Sequence, residues 1–74
     1  MLDIKDINVG DYLQYWENVL HDYAYFFVTR IEVVSRIEKM LYGCFIIKNK
    51  KQIKFTLWLM DNENISRHKI RRLI

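Results

Sequence analysis

Gln52-Ile53-Lys54-Phe55-Thr56-Leu57-Trp58-Leu59-Met60 is the stretch on which the reading of the fold turns. Successive side chains of a β-strand point to opposite faces, and here Ile53, Phe55, Leu57 and Leu59 alternate with Gln52, Lys54, Thr56 and Trp58. The alternation predicts a strand with the first set inward and the second outward. Immediately upstream, Leu41-Tyr42-Gly43-Cys44-Phe45-Ile46-Ile47-Lys48 has the same β character, with Gly43 as a natural bulge or bend. The polar Asn49-Lys50-Lys51 joins the two as a hairpin, without the glycine of the tightest turns.

Working back from that hairpin, Tyr23 to Val34 is too rich in aromatic and β-branched residues for a comfortable helix and predicts a long strand. Its alternation places Phe27, Thr29, Ile31 and Val33 on one side and Phe26, Val28, Arg30 and Glu32 on the other. The predicted core is therefore Phe27, Ile31, Val33, Phe55, Leu57 and Leu59. Residues 17–22 are polar and read as a loop; Val9-Gly10-Asp11 is a turn signal, and a first strand follows over residues 11–17. Asp3 caps one helical turn reaching Ile7, with Leu2, Ile4 and Ile7 closing the end of the core. Beyond the hairpin, Asp61-Asn62-Glu63-Asn64 reads as a turn and Ser66 as the cap of a helical turn around Arg67-His68-Lys69. Ile70, with Leu73 or Ile74, starts a short last strand.

This order and these lengths resemble the SH3-like barrel over nearly the whole chain. The expectation is all-β: a single domain, residues 1–74, forming a small SH3-like five-stranded barrel with one short helical turn before the last strand. An OB-like barrel of similar strand content is the alternative.

A chain of 74 residues has room for one core. Cys44, the single cysteine, cannot form an intramolecular disulfide, and its aliphatic and aromatic neighbours make it a buried, inert thiol. That implies a reducing, cytoplasmic setting. No run approaches a membrane span, and Met1-Leu2-Asp3-Ile4-Lys5-Asp6 lacks the basic start and apolar stretch of a secretion signal. One cysteine with the distant His21 and His68 assembles no structural zinc site, and Gly10 and Gly43, the only glycines, make no phosphate-cradling loop. His21 reads as a loop residue and His68 as a plain surface histidine. The carboxylates do not cluster enough to nominate an active site, so the expectation is a protein with no enzymatic activity, no cofactor and no metal.

Two constellations remain. Lys48, Lys50, Lys51 and Lys54 around the hairpin, and Arg67, Lys69, Arg71 and Arg72 after it, could follow a phosphate backbone, with Trp58 and Tyr42 as stacking surfaces. The plainer reading is that these lysines keep a strand edge soluble. The second constellation is aromatic: Tyr12, Tyr15, Trp16, Tyr23, Tyr25, Phe26 and Phe27 exceed what one small barrel can bury, so some are exposed. With Asp11, Glu17 and Asp22 close in sequence they suit a protein-binding surface, for which the candidates are Trp16, Glu17, Asp22, Tyr23 and Tyr25. The same surplus predicts a homodimer.

Charge divides along the chain. Residues 1–37 carry three basic and six acidic side chains, a balance of −3, and residues 38–74 carry nine and three, a balance of +6, giving the net +3. Small size, frequent isoleucine, lysine and asparagine, and the inferred barrel are together similar to the small host-takeover proteins of phages that infect low-GC Gram-positive bacteria. The nearest kind is the phage inhibitor of the host replicative sliding clamp. That resemblance implies a non-enzymatic inhibitor working in the host cytoplasm, with acidic groups set against the basic channel in which a clamp holds DNA. A small basic nucleic-acid-binding barrel is the alternative function.

Overall fold

A computed structural model describes residues 2–47 and 52–73, with residues 52–54 described by backbone alone. The strands are β1 (Tyr12–Glu17), β2 (Asp22–Val33), β3 (Lys39–Ile47), β4 (Gln52–Met60) and β5 (Arg71–Arg72), with one helix, α1 (Asn62–Arg67), before the last. They form one antiparallel sheet in the order β4-β3-β2-β1-β5. The all-β expectation holds. The sheet is strongly bent: the rings of Tyr15 on β1 and Trp58 on β4 lie 4.8 Å apart, although two strands separate them and a flat sheet would hold them roughly 14 Å apart.

Phe26, Val28, Leu13, Leu41, Met60 and Ile65 are almost completely buried, with Ile4, Ile7, Tyr15, Ala24 and Ile70 around them. This reverses the predicted core. Phe55, Leu57, Leu59, Phe27 and Val33 are 77%, 57%, 40%, 37% and 69% exposed, and Ile31 alone of the predicted set packs at the margin of the core. On β4 it is Met60 and, half-buried, Trp58 that face inward. Parity is the reason. Both sides of the β2 and β4 alternations carry large apolar residues, Phe26 and Val28 against Phe27 and Ile31, Trp58 and Met60 against Phe55, Leu57 and Leu59, so periodicity fixes two faces without saying which is covered. A β-bulge between Val28 and Arg30 then changes the parity of β2, so that Ala24, Phe26 and Val28 point inward before it and Ile31 after it.

Gly43 lies opposite that irregularity, paired with Val28. A Cβ at position 43 would sit 1.9 Å from the carbonyl oxygen of Phe27, so only glycine lets β3 approach β2 this closely.

Both covering turns are capped by aspartate. Asp3 accepts from the Lys5 amide at the start of a 3-10 turn over Ile4–Asp6. Asp61, at the position read as part of a turn, accepts from the Asn64 amide and starts α1, so the helix begins five residues earlier than Ser66 would have it. Asn62 ties the two together by accepting from the Ile4 amide at 2.8 Å and donating to Asp3 at 3.3 Å. Ile4, Ile7, Ile65 and Ile70 thereby reach the inner face of the sheet.

Candidate protein-binding surface

The β1–β2 hairpin brings the sequence-predicted protein-binding residues together. Its register sets Trp16 against Tyr23, Glu17 against Asp22 and Gln14 against Tyr25. Trp16 and Tyr23 pack edge to face at 5.2 Å, while Tyr25 lies 5.6 Å from Tyr12. Trp16, Tyr23 and Tyr25 share one strand parity, and therefore the face opposite the core residues Tyr15, Ala24 and Phe26. Tyr23 is 45% exposed.

Local hydrogen bonds shape the tip. Glu17 accepts from the Val19 amide at 3.1 Å and Asp22 from the Tyr23 amide at 2.7 Å. Between them His21 adopts a left-handed backbone with φ of 49°, and Val19 is exposed. The result, at one end of the sheet, is an aromatic pair on the outer face followed along the hairpin by an acidic pair of the opposite parity.

On the other side of Glu17 a cleft of about 300 Å³ opens on the inner face, lined by Tyr15, Glu17, Phe26, Phe45, Trp58 and His68 among others. Burial pushes the Tyr15 phenol well above its ordinary range, and the nearby Glu17 charge adds to the effect. His68 differs from the sequence reading. It is half-buried, with its ring 5.6 Å from Trp58 and 6.5 Å from Tyr15. Among the described residues no three His, Cys, Asp or Glu side chains group as a metal-binding set, and no helix is long and apolar enough to cross a membrane.

No protein-family profile, curated protein or solved structure matches the chain.

Among the described residues, the C-terminal arginines are held in separate contacts. Arg72 bonds the Asp6 carbonyl at 2.7 Å and reaches Asp11 at 3.5 Å; Arg71 donates to Gln14 at 2.7 Å; Arg67 pairs with Glu63 one helical turn away. Lys69 is exposed, with φ of 51°. Trp58, expected outward as a stacking surface, is turned inward against Tyr15 and Phe26. Lys48, Lys50 and Lys51, and the side chain of Lys54, lie outside the described residues.

Sequence reasoning missed the exposed apolar row of Phe55, Leu57 and Leu59, because a clean alternation was taken to mark the buried side. Cys44 is likewise half-buried on that outer face, paired with Phe27 and Phe55, rather than sealed in the core. The signal available was Trp58-Leu59-Met60, three large apolar residues in succession, which place bulk on both faces of β4.

Proposed function

We propose that the chain is a non-enzymatic protein-binding module that uses the β1–β2 hairpin end, with Trp16, Tyr23 and Tyr25 as anchors and Glu17 and Asp22 as flanking charges. The observation that carries this reading is the Trp16–Tyr23 ring pair set beside the Glu17–Asp22 pair. Rigid aromatic rings with two rotatable bonds give large contact area at small entropic cost, and adjacent carboxylates select a basic partner surface.

The likeness to host-takeover proteins supplies the class of target: a DNA-replication protein of a low-GC Gram-positive host, such as the sliding clamp, with the chain phage-encoded. A clamp's DNA channel is a basic surface of the kind these acids would meet. The nucleic-acid alternative is weakened at one element, since Trp58 packs inward against Tyr15 and Phe26 rather than standing on the outer face beside the basic residues.

The test is calorimetric titration of the purified chain into a purified clamp from such a bacterium, beside a parallel titration into duplex and single-stranded DNA. Binding to the clamp should persist at physiological salt and weaken about 30-fold or more for Trp16→Ala, as expected of a hot-spot residue. Asp22→Lys should weaken it further at low salt than at high salt. Tight DNA binding lost in Lys50→Glu with Lys51→Glu, without clamp binding, would replace this reading by the nucleic-acid one.

A further inference from the structure

Three cross-strand rows cover the outer face of β2, β3 and β4: Phe27, Cys44 and Phe55; Arg30, Tyr42 and Leu57; Glu32, Met40 and Leu59. Seven of these nine residues are apolar or aromatic, and none belongs to the buried core. Taking about 200 Å² for a whole large side chain, the exposures of Phe27, Phe55, Leu57 and Leu59 leave about 400 Å² of apolar surface open, at the size where such patches mark interaction sites. Two such faces with their borders bury about 1,000 Å², the lower bound for a specific interface.

Arg30 and Glu32 are the charged side chains of these rows. The Arg30 guanidinium stacks 3.9 Å over the centre of the Tyr42 ring, and the Tyr42 hydroxyl donates to Glu32 at 3.4 Å. One cation and one anion are thus held two residues apart on one strand, with the apolar field beside them. Such a face is electrically neutral, so it neither attracts phosphate nor repels a like-charged copy despite the net +3 of the chain. It is also complementary to itself. A two-fold axis crossing the strands between the last two rows brings Arg30 opposite Glu32, Tyr42 opposite Met40 and Leu57 opposite Leu59 of the other copy.

We propose that this outer sheet face is the contact between two copies of the chain, with Leu57 and Leu59 at its apolar centre and reciprocal Arg30–Glu32 pairs fixing the orientation. The surface shares β2 and the outer face with Tyr23 and Tyr25, but its centre, Leu57 and Leu59, lies on β4 rather than on the β1–β2 hairpin. An isologous interface makes each charged pair twice, which gives the arrangement a distinctive signature.

The experiment is sedimentation equilibrium on the wild type and four variants, with circular dichroism to confirm that each is folded. The wild type should dimerise with a dissociation constant on the order of 10 μM, in keeping with a small interface. Leu57→Glu should be monomeric at tenfold higher concentration. Arg30→Glu and Glu32→Arg should each weaken self-association at least tenfold, since like charges then meet twice, whereas an equimolar mixture of the two should form heterodimers close to wild-type strength. Arg30→Glu with Glu32→Arg in one chain should also recover the dimer. A strictly monomeric wild type would overturn the proposal, and so would a dimer indifferent to Leu57→Glu or single variants that the mixture does not rescue.

Discussion

Phe26 and Phe27 are neighbours on β2, yet Phe26 is 1% exposed and Phe27 37%; Leu41 and Leu57, on adjacent strands, are 0% and 57% exposed. The two faces of the sheet are built from similar residues and differ in what covers them. Ile4 and Ile7 from the 3-10 segment, Ile65 from α1 and Ile70 after it all pack on the inner face, whereas no described turn or helix contributes a core residue to the outer one. Burial here is decided by capped turns remote in sequence more than by the hydrophobicity of the strands.

The largest expected effect tests that difference directly. Leu41→Ala should cost about 2–5 kcal/mol through lost burial and the cavity left behind. Leu57→Ala, measured by urea unfolding at concentrations too low for association, should cost less than about 1 kcal/mol. Equal costs would show that the outer face is covered within one chain. Next comes Gly43→Ala, expected to cost about 1–3 kcal/mol, because the new methyl meets the Phe27 backbone rather than a side chain able to move. An unchanged urea midpoint would mean that β2 and β3 are further apart at the bulge than described.

Asp61→Ala should cost about 1 kcal/mol by leaving the Asn64 amide without its cap. Asp61→Asn, which keeps an acceptor, should restore most of it. The smallest effect at neutral pH is that of Tyr15→Phe, which becomes informative in alkali. Burial first, and the Glu17 charge second, raise the phenol in the folded chain. The unfolded chain therefore loses its proton first, near the ordinary value of about 10, and the stabilising contribution present below that pH declines as pH rises beyond it. Urea midpoints should fall more steeply in the wild type than in Tyr15→Phe over that alkaline range. Parallel curves would show that Tyr15 ionises as freely in the folded chain as in the unfolded one.

The strands themselves were legible in the sequence. Gln52–Met60 matches β4 end to end, and the β1 and β2 limits agree within one or two residues, because β-branched and aromatic density marks strands locally. The gathering of Trp16, Glu17, Asp22, Tyr23 and Tyr25 was legible too, since hairpin pairing follows from two strands and a short loop. The direction in which they point was not. Facing depends on the bulge at Thr29, on the close approach at Gly43 and on Asn62 binding the N-terminal turn, and each of these relates residues distant in sequence or one register step apart. Asp61 shows a local limit as well: Asp61-Asn62-Glu63-Asn64 suits a turn and a helix cap equally, and only the packing of Ile65 against the core separates them.

The contacts that close the structure also govern how it is reached. Ile4 with Asn62, Gln14 with Arg71, and Asp11 with Arg72 join positions separated by 58, 57 and 61 residues. Loop-closure entropy must be met before such contacts return any stabilisation, and chains dominated by non-local pairing fold in milliseconds to seconds rather than microseconds. The outer row of Phe55, Leu57 and Leu59 and the inner row give β2 to β4 two apolar faces, and the docking of the N-terminal turn and α1, through contacts this distant in sequence, is what commits one of them to the interior.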